Sequence, residues 1–106
     1  MSSKGRAVGG GALQYDREHM TAHDKLLERL LRGTSDGSIP FDALCHLLER
    51  LGFQGRIRGS HHIFTRTGVE EILNLQPRGS LAKAYQVKQV RNVIVKYRLA
   101  GEPDER

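Results

Sequence analysis

The sequence predicts one α+β domain, in which a three-stranded antiparallel meander carries helices on one face. Three observations lead to this class. Apolar residues recur at helical spacing in three segments, strand-type runs occupy the middle of the chain, and short glycine-containing turns separate those runs. The predicted element order is α-α-β-β-β-α, and a chain of 106 residues has room for one such domain.

Domain-forming sequence is expected from residue 20 to residue 99. Residues 1–19 contain Gly9-Gly10-Gly11 and no sustained periodicity, so we expect a disordered extension or an expression remnant there. The remainder divides into an extra leading helix, a core and a flexible tail, at residues 20–33, 39–99 and 100–106.

The helices are predicted from apolar stripes. Four leucines at helical spacing predict a first helix over residues 21–31. A second begins near Pro40, which suits a first turn, and Gly52 ends it as a C-cap residue would. A final helix is predicted over residues 84–99. The stripes of the second and final helices are Phe41, Leu44, Leu48 and Leu51, and Val87, Val90, Ile94 and Tyr97.

The strands are predicted from β-type runs between turn signals. They are placed at residues 53–58, 61–66 and 69–76. Gly59-Ser60 and Thr67-Gly68 are plausible hairpin turns between them. Residues 77–80, Pro-Arg-Gly-Ser, break the strand pattern.

Positive charge is concentrated in the second half of the chain. Residues 53–99 carry nine Lys and Arg against only Glu70 and Glu71. This distribution is either a solvated basic surface or an electrostatic footprint for a polyanion such as RNA. Aromatic residues are sparse in the same segment, which does not favour base stacking on an open platform.

The sequence also indicates a compartment. No apolar run approaches the roughly 20 residues that span a bilayer, and the N-terminus does not have the pattern of a signal peptide. The single cysteine, Cys45, cannot form an internal disulfide and lies beside the apolar stripe of the second helix, so we expect a core thiol. A cytoplasmic protein without membrane association is the expectation.

The most informative stretch of the chain is residues 58–64, Arg-Gly-Ser-His-His-Ile-Phe. Histidine has an ordinary pKa near 6.5, so it can take and give a proton around neutral pH. Adjacent strand residues point to opposite faces, so His61 and His62 should lie on different sides of the sheet. If Phe64 faces the core, His62 is partly covered and His61 is exposed.

This stretch and its surroundings resemble the HicA-type mRNA interferase toxins of bacterial toxin–antitoxin systems. The most specific features are Leu51-Gly52-Phe53 and Gly59-Ser60-His61-His62; the residues that carry the resemblance lie at 39–41, 47–53, 58–64 and 87–91. The extra leading helix and residues 74–80, which lack the commoner apolar strand ending in Pro and His, depart from the family.

The resemblance implies a fold similar to α-β-β-β-α double-stranded-RNA-binding domains and an endoribonuclease activity on mRNA. It also implies neutralisation by a cognate HicB-type antitoxin that covers the active face. Metal-free RNA cleavage needs a base for the ribose 2′-OH, an acid for the leaving 5′-oxygen and cations for the phosphorane. We expect His61 or His62 to supply acid/base catalysis, with His61 favoured, and no cofactor.

The expected RNA-binding residues are Arg56, Arg58, Ser60, Arg66 and Lys83. The arginines would hold phosphate, and Lys83 precedes a helix N-terminus that also favours anions. Ser60 is either a phosphate contact or simply a turn residue. His19 and His23 have i, i+4 spacing but lack a third ligand, so no metal site is predicted. Two alternatives remain open: an RNA-binding module without catalysis, and a structural domain whose basic face docks an acidic partner.

Overall fold

A computed structural model describes residues 21–101. The predicted extension at residues 1–19 lies outside the described residues, as do residues 102–106 of the predicted tail. Within 21–101, none of the helices has the length and apolar character needed to cross a membrane.

The structure confirms the α+β class, with three helices and a three-stranded antiparallel sheet in the order β1-β2-β3. In chain order the elements are α1 (Ala22–Arg32), a 3-10 turn (Asp36–Ser38), α2 (Phe41–Arg50), β1 (Gln54–Arg58), β2 (His61–Arg66), β3 (Val69–Leu75), β4 (Pro77–Arg78), β5 (Leu81–Ala82) and α3 (Ala84–Lys96). The 3-10 turn and the short β4–β5 pair were not predicted.

Helix α1 has well-defined ends. Its N-terminus is closed by a capping box, in which the Thr21 hydroxyl accepts a hydrogen bond from the Asp24 amide and the Asp24 carboxylate accepts one from the Thr21 amide. At the other end Gly33 adopts a φ of +74°, which glycine allows without steric cost. Leu26 and Leu30 bury the inner face of the helix.

Helix α2 follows the predicted stripe. Phe41, Leu44 and Leu48 are buried and Leu51 is partly buried, so the offsets of three and four do place these side chains towards the core. Leu51 caps the helix, and Gly52 turns the chain into β1 with a φ of +97°. The helix lies where it was predicted, but Pro40 is its N-cap rather than a first-turn residue and Leu51, not Gly52, is its C-cap.

The sheet has one buried face. Strand alternation turns Phe64, Leu73 and Leu75 towards the helices, where all three are buried in the core. Gly55 lies directly opposite Phe64 in the β1–β2 register. A Cβ built on Gly55 would lie 2.7 Å from Cε1 of the Phe64 ring, so the ring occupies space that only glycine leaves open.

The segment after β3 is ordered rather than a simple break. Strands β4 and β5 form a small hairpin that turns at Gly79, where φ is +63°. The hairpin is bound to the start of α2, since Phe41 N donates to Ser80 O (3.0 Å) and Ala82 N to Ile39 O (2.9 Å). The hairpin therefore pairs with residues 39–41, which are distant in sequence, and local sequence patterns do not predict such a pairing.

Helix α3 is held by its apolar stripe and, at Arg91, by an ion pair with the 3-10 turn. Val87, Val90 and Ile94 are buried, as predicted. Arg91 reaches across to the 3-10 turn, where Nη1 donates to Asp36 Oδ1 (2.8 Å) and Nη2 to Oδ2 (3.1 Å). The hydrogen bond from Arg91 lowers the pKa of Asp36. Arg91, one of the nine basic residues of segment 53–99, is thus engaged in stabilising the fold.

Candidate active site

The hairpin turn between β1 and β2 positions His61. Gly59 has a φ of +59° and Ser60 does not have positive φ, the pattern of a two-residue type II′ turn. Such a turn makes Arg58 and His61 direct cross-strand partners. Directly opposed residues share a face of the sheet, with Cβ atoms about 4.5–5.5 Å apart. The side chains of Arg58 and His61 therefore leave the sheet from neighbouring positions at the end of the hairpin.

The two histidines lie on opposite faces, as the alternation predicted. Phe64 is buried, His61 is exposed on the open face, and His62 is partly buried on the face towards the helices. The His62 ring packs edge-on against Phe41, with ring centroids 4.8 Å apart and an interplanar angle of 82°. His62 therefore has a packing role, whereas His61 is open to solvent.

Asn74 orients the His61 ring. The His61 Nδ1 atom lies 2.9 Å from Asn74 Oδ1, on the neighbouring strand β3. An amide oxygen is an acceptor, so Nδ1 is the donor, and in the neutral ring this tautomer leaves the lone pair on Nε2. The free Nε2 is the basic atom of the ring, and the hydrogen bond fixes the direction in which it points.

A network of amide side chains supports this arrangement. Gln86 of α3 is a polar residue that is buried in the core, at 4% exposure. Its Oε1 accepts a hydrogen bond from Gln76 N (3.0 Å), and its Nε2 donates to Asn74 O (3.2 Å). The buried amide is satisfied at both ends, and it ties the end of β3 to α3 directly behind the His61–Asn74 pair.

Two more of the predicted residues join this network through Gln76. Its Nε2 donates to the Ser60 hydroxyl (2.8 Å), and its Oε1 accepts from Lys83 Nζ (3.1 Å). One amide thus links the hairpin turn to the residue that precedes α3. Ser60 and Lys83 are both at the His61 end of the sheet, where Ser60 is exposed and Lys83 is partly buried.

The predicted arginines do not all gather at one place. Arg56 pairs with Ile63, so it follows Arg58 along the open face. Arg66 is at the other end of β2, about 16 Å along the strand from His61 at 3.3 Å per residue. Its guanidinium lies over Gly52, where an added Cβ would be 2.9 Å from Arg66 Nε. Arg66 therefore lies away from His61, and its predicted role in RNA binding stays a prediction.

The acidic groups lie away from His61. Glu70 and Glu71 stand at the start of β3, the end of the sheet farther from the hairpin turn. Hydrogen bonds from Lys96 Nζ (2.8 Å) and from the Tyr97 hydroxyl (2.7 Å) lower the pKa of Glu71 to about 2. On the other face, Asp42 lines the same groove as His62. A polyanion is therefore better received by the open face than by the His62 groove.

Cys45 and His23 are the other residues that the sequence singled out and the structure describes. Burial raises the pKa of the Cys45 thiol to about 11, which agrees with the expected packing role and not with a reactive thiolate. His23 lies in α1, while His19 is outside the described residues. In residues 21–101, no three His, Cys, Asp or Glu side chains come together in the manner of a metal site.

Sequence reasoning missed the amide groups of the site. Asn74, Gln76 and Gln86 were not among the predicted site residues. The sequence does contain a signal for Asn74 and Gln76. Asn74 and Gln76 alternate with Leu73 and Leu75 at the end of the predicted third strand, which would have placed them off the buried face. Gln86 had no such signal, because its partners come from a distant part of the chain.

Comparison with known proteins does not assign the chain to a family. No protein-family model matches it, and neither the curated proteins nor the solved structures contain a match. The function is therefore argued from the residues and their geometry.

Proposed function

We propose that the protein is an endoribonuclease that cleaves mRNA by histidine acid/base catalysis, without a metal. In this proposal it is the toxin component of a HicA-type toxin–antitoxin pair, acting in the cytoplasm. The observation that carries the proposal is the His61 environment. The ring is exposed on the open face, its Nδ1 is bonded to Asn74, and Arg58 is its cross-strand partner.

The proposed chemistry follows from these positions. Nε2 of His61 takes the proton from a ribose 2′-OH as that oxygen attacks the adjacent phosphorus. The new P–O2′ bond gives a 2′,3′-cyclic phosphate, and the P–O5′ bond breaks. The 5′-oxygen leaves with a proton from solvent, since the open face is accessible to water and His62 lies on the other face. Arg58 offsets the charge that develops on the phosphorane oxygens.

The fold and charge distribution support the same proposal. The order α2-β1-β2-β3-α3, with the buried face of the sheet against the helices, is compatible with the double-stranded-RNA-binding-domain type of fold that we propose for this domain. The open face carries Arg56 and Arg58 and leaves His61 exposed. An acidic HicB-type antitoxin that covered this face would block His61 and neutralise both arginines.

The experiment compares His61→Ala with His62→Ala, two neighbouring substitutions of the same kind on opposite faces. Each variant is expressed by induction, growth is followed, and cleavage of cellular transcripts is mapped by primer extension. We expect His61→Ala to lower the cleavage rate by about 10²–10⁴-fold, the usual contribution of a positioned acid or base. His62→Ala should retain the cleavage pattern, provided that circular dichroism shows a folded domain.

The two alternatives give different results in the same system. A purified protein that binds RNA but yields no product is an RNA-binding module, and the catalytic proposal then fails. Binding to RNA should weaken steeply as salt rises, because phosphate contacts release counterions. A protein with no salt-dependent affinity for RNA would instead be a domain whose basic face docks an acidic partner.

A further inference from the structure

A pocket adjoins His61 on the open side of the sheet. It has a volume of about 260 Å³ and is lined by His61, Ile72, Asn74, Gln76, Tyr85, Gln86 and Gln89. This volume lies below the range of about 300–1,000 Å³ that holds drug-sized ligands. The pocket is therefore sized for a group smaller than a drug-like ligand, and it lies immediately beside the ring to which we assign catalysis.

The walls of the pocket present unusually exposed apolar surface. Ile72 is 65% exposed and Tyr85 is 61% exposed, and both are among the few large hydrophobic side chains that residues 21–101 leave open to solvent. They come from different elements, β3 and α3, yet both line this one pocket. An exposed aromatic ring beside a cationic surface is what proteins use to stack a splayed nucleobase.

The pocket also carries free hydrogen-bonding groups on a rigid base. Asn74 uses its oxygen for His61, which leaves its NH₂ group to donate. Gln89 adds a further exposed amide. Gln86 beneath them is buried and is hydrogen-bonded to Asn74 of β3 and to Gln76 just after β3, so the wall that bears Tyr85 is fixed relative to His61. Amide groups of this kind read the edges of bases.

We propose that this pocket binds one unstacked base of the RNA next to the phosphate that His61 attacks, with Tyr85 as the stacking residue. The substrate is then single-stranded RNA, because a paired base cannot enter a pocket in this way. The inference rests on the proposed ribonuclease function and adds a subsite and a substrate class to it.

The test measures binding separately from cleavage. Short 2′-O-methyl oligonucleotides of each base are used with the full chain, since blocking the 2′-oxygen prevents cleavage, and affinity is read by fluorescence anisotropy. Tyr85→Ala should weaken binding about fivefold or more, the effect of losing one stacked base. Tyr85→Phe should bind as the unmodified chain does. Val95→Ala is the matched control, because Val95 is equally exposed at 61% but does not line the pocket.

Two further ligands, an abasic strand and an RNA hairpin, test whether binding depends on an unstacked base. An oligonucleotide with abasic positions should bind the unmodified chain more weakly, and Tyr85→Ala should bind intact and abasic strands alike. A stable RNA hairpin of the same charge should bind more weakly than the single strand. If Tyr85→Ala retains full affinity, or the hairpin binds as tightly as the single strand, the subsite proposal is wrong.

Failure of the subsite and failure of the parent function can be told apart. A protein whose cleavage depends on His61 but whose binding ignores Tyr85 keeps its ribonuclease function and loses the subsite. A protein that neither binds the oligonucleotides nor cleaves transcripts contradicts both. Circular dichroism of Tyr85→Ala excludes unfolding as the cause of weakened binding.

Discussion

The two faces of the sheet differ in burial and in the chemical groups that they present. The face towards the helices buries Phe64, Leu73 and Leu75, whereas the open face exposes His61 and leaves Asn74 to orient it. We expect a mutation on the first face to act through the free energy of unfolding, and under the proposed function one on the second face should act through cleavage. The contrast is sharpest at His61 and His62, which are adjacent in sequence, since His61 is bonded to Asn74 and His62 packs against Phe41.

Phe64→Ala should be the most damaging change. It leaves a cavity at the centre of the buried face, and such truncations cost about 3–5 kcal/mol, which is a large part of the stability of a small domain. Urea denaturation followed by circular dichroism measures the loss. The matched control is Thr65→Ala on the next, exposed position, which should change stability by less than about 0.5 kcal/mol. Equal losses from both variants would contradict the division.

Arg58→Ala should reduce cleavage without changing stability. A hydrogen bond to a charged group contributes about 1.5–3 kcal/mol, so the rate on RNA should fall by about ten- to a hundredfold. The salt dependence of RNA binding should also become shallower, since one phosphate contact is lost. Arg66→Ala is the comparison, because Arg66 lies at the far end of β2; it should leave cleavage within about a factor of two. A stronger effect from Arg66→Ala would show that the two ends of the sheet are not distinct.

Asn74→Asp should move the pH dependence of cleavage. A carboxylate next to Nδ1 favours the charged imidazolium, so the basic form of His61 appears only at higher pH. We expect the acid limb of the rate profile to shift upward by about one pH unit. Asn92→Asp, an exposed asparagine on α3 outside the site, should leave the profile in place. An unmoved profile in Asn74→Asp would mean that Asn74 does not orient the catalytic ring.

Glu71→Gln should have the smallest effect, and it should depend on pH. The pKa of Glu71 is lowered to about 2 by Lys96 and Tyr97, from an ordinary value of 4.5. The stabilisation is therefore fully present above about pH 4.5 and is lost as the pH falls towards 2. At neutral pH the variant should melt slightly below the unmodified chain. A difference in melting temperature that persists at pH 2 would be inconsistent with this origin.

Local patterns predicted the elements that bury a stripe or a face. The spacing of Phe41, Leu44 and Leu48 placed α2, and alternation around Phe64 placed His61 and His62 on the correct faces. These signals are local, because each depends only on helical or strand period. They required no knowledge of which distant segments meet.

The parts that sequence reasoning missed depend on distant pairing. The β4–β5 hairpin is held by Ile39 and Phe41, some forty residues earlier, so residues 77–80 looked like a break. Gln86 has no distinguishing feature in the helical pattern, because its bonds to Asn74 and Gln76 depend on how α3 meets β3. Arg66 was grouped with Arg58 by charge, although the predicted strand over residues 61–66 already places Arg66 at the end farther from His61.

The close approach of the Phe64 ring to Gly55 changes how the first strand should be regarded. Gly55 is on an edge strand whose residues are all exposed, and by accessibility alone it would be a position free to vary. Yet any larger residue there would have to displace an aromatic ring at the heart of the domain. The side chains that position 55 accepts are limited by the volume of the Phe64 ring. A library that randomised β1 would therefore lose stability at its second residue, although that residue is on the surface.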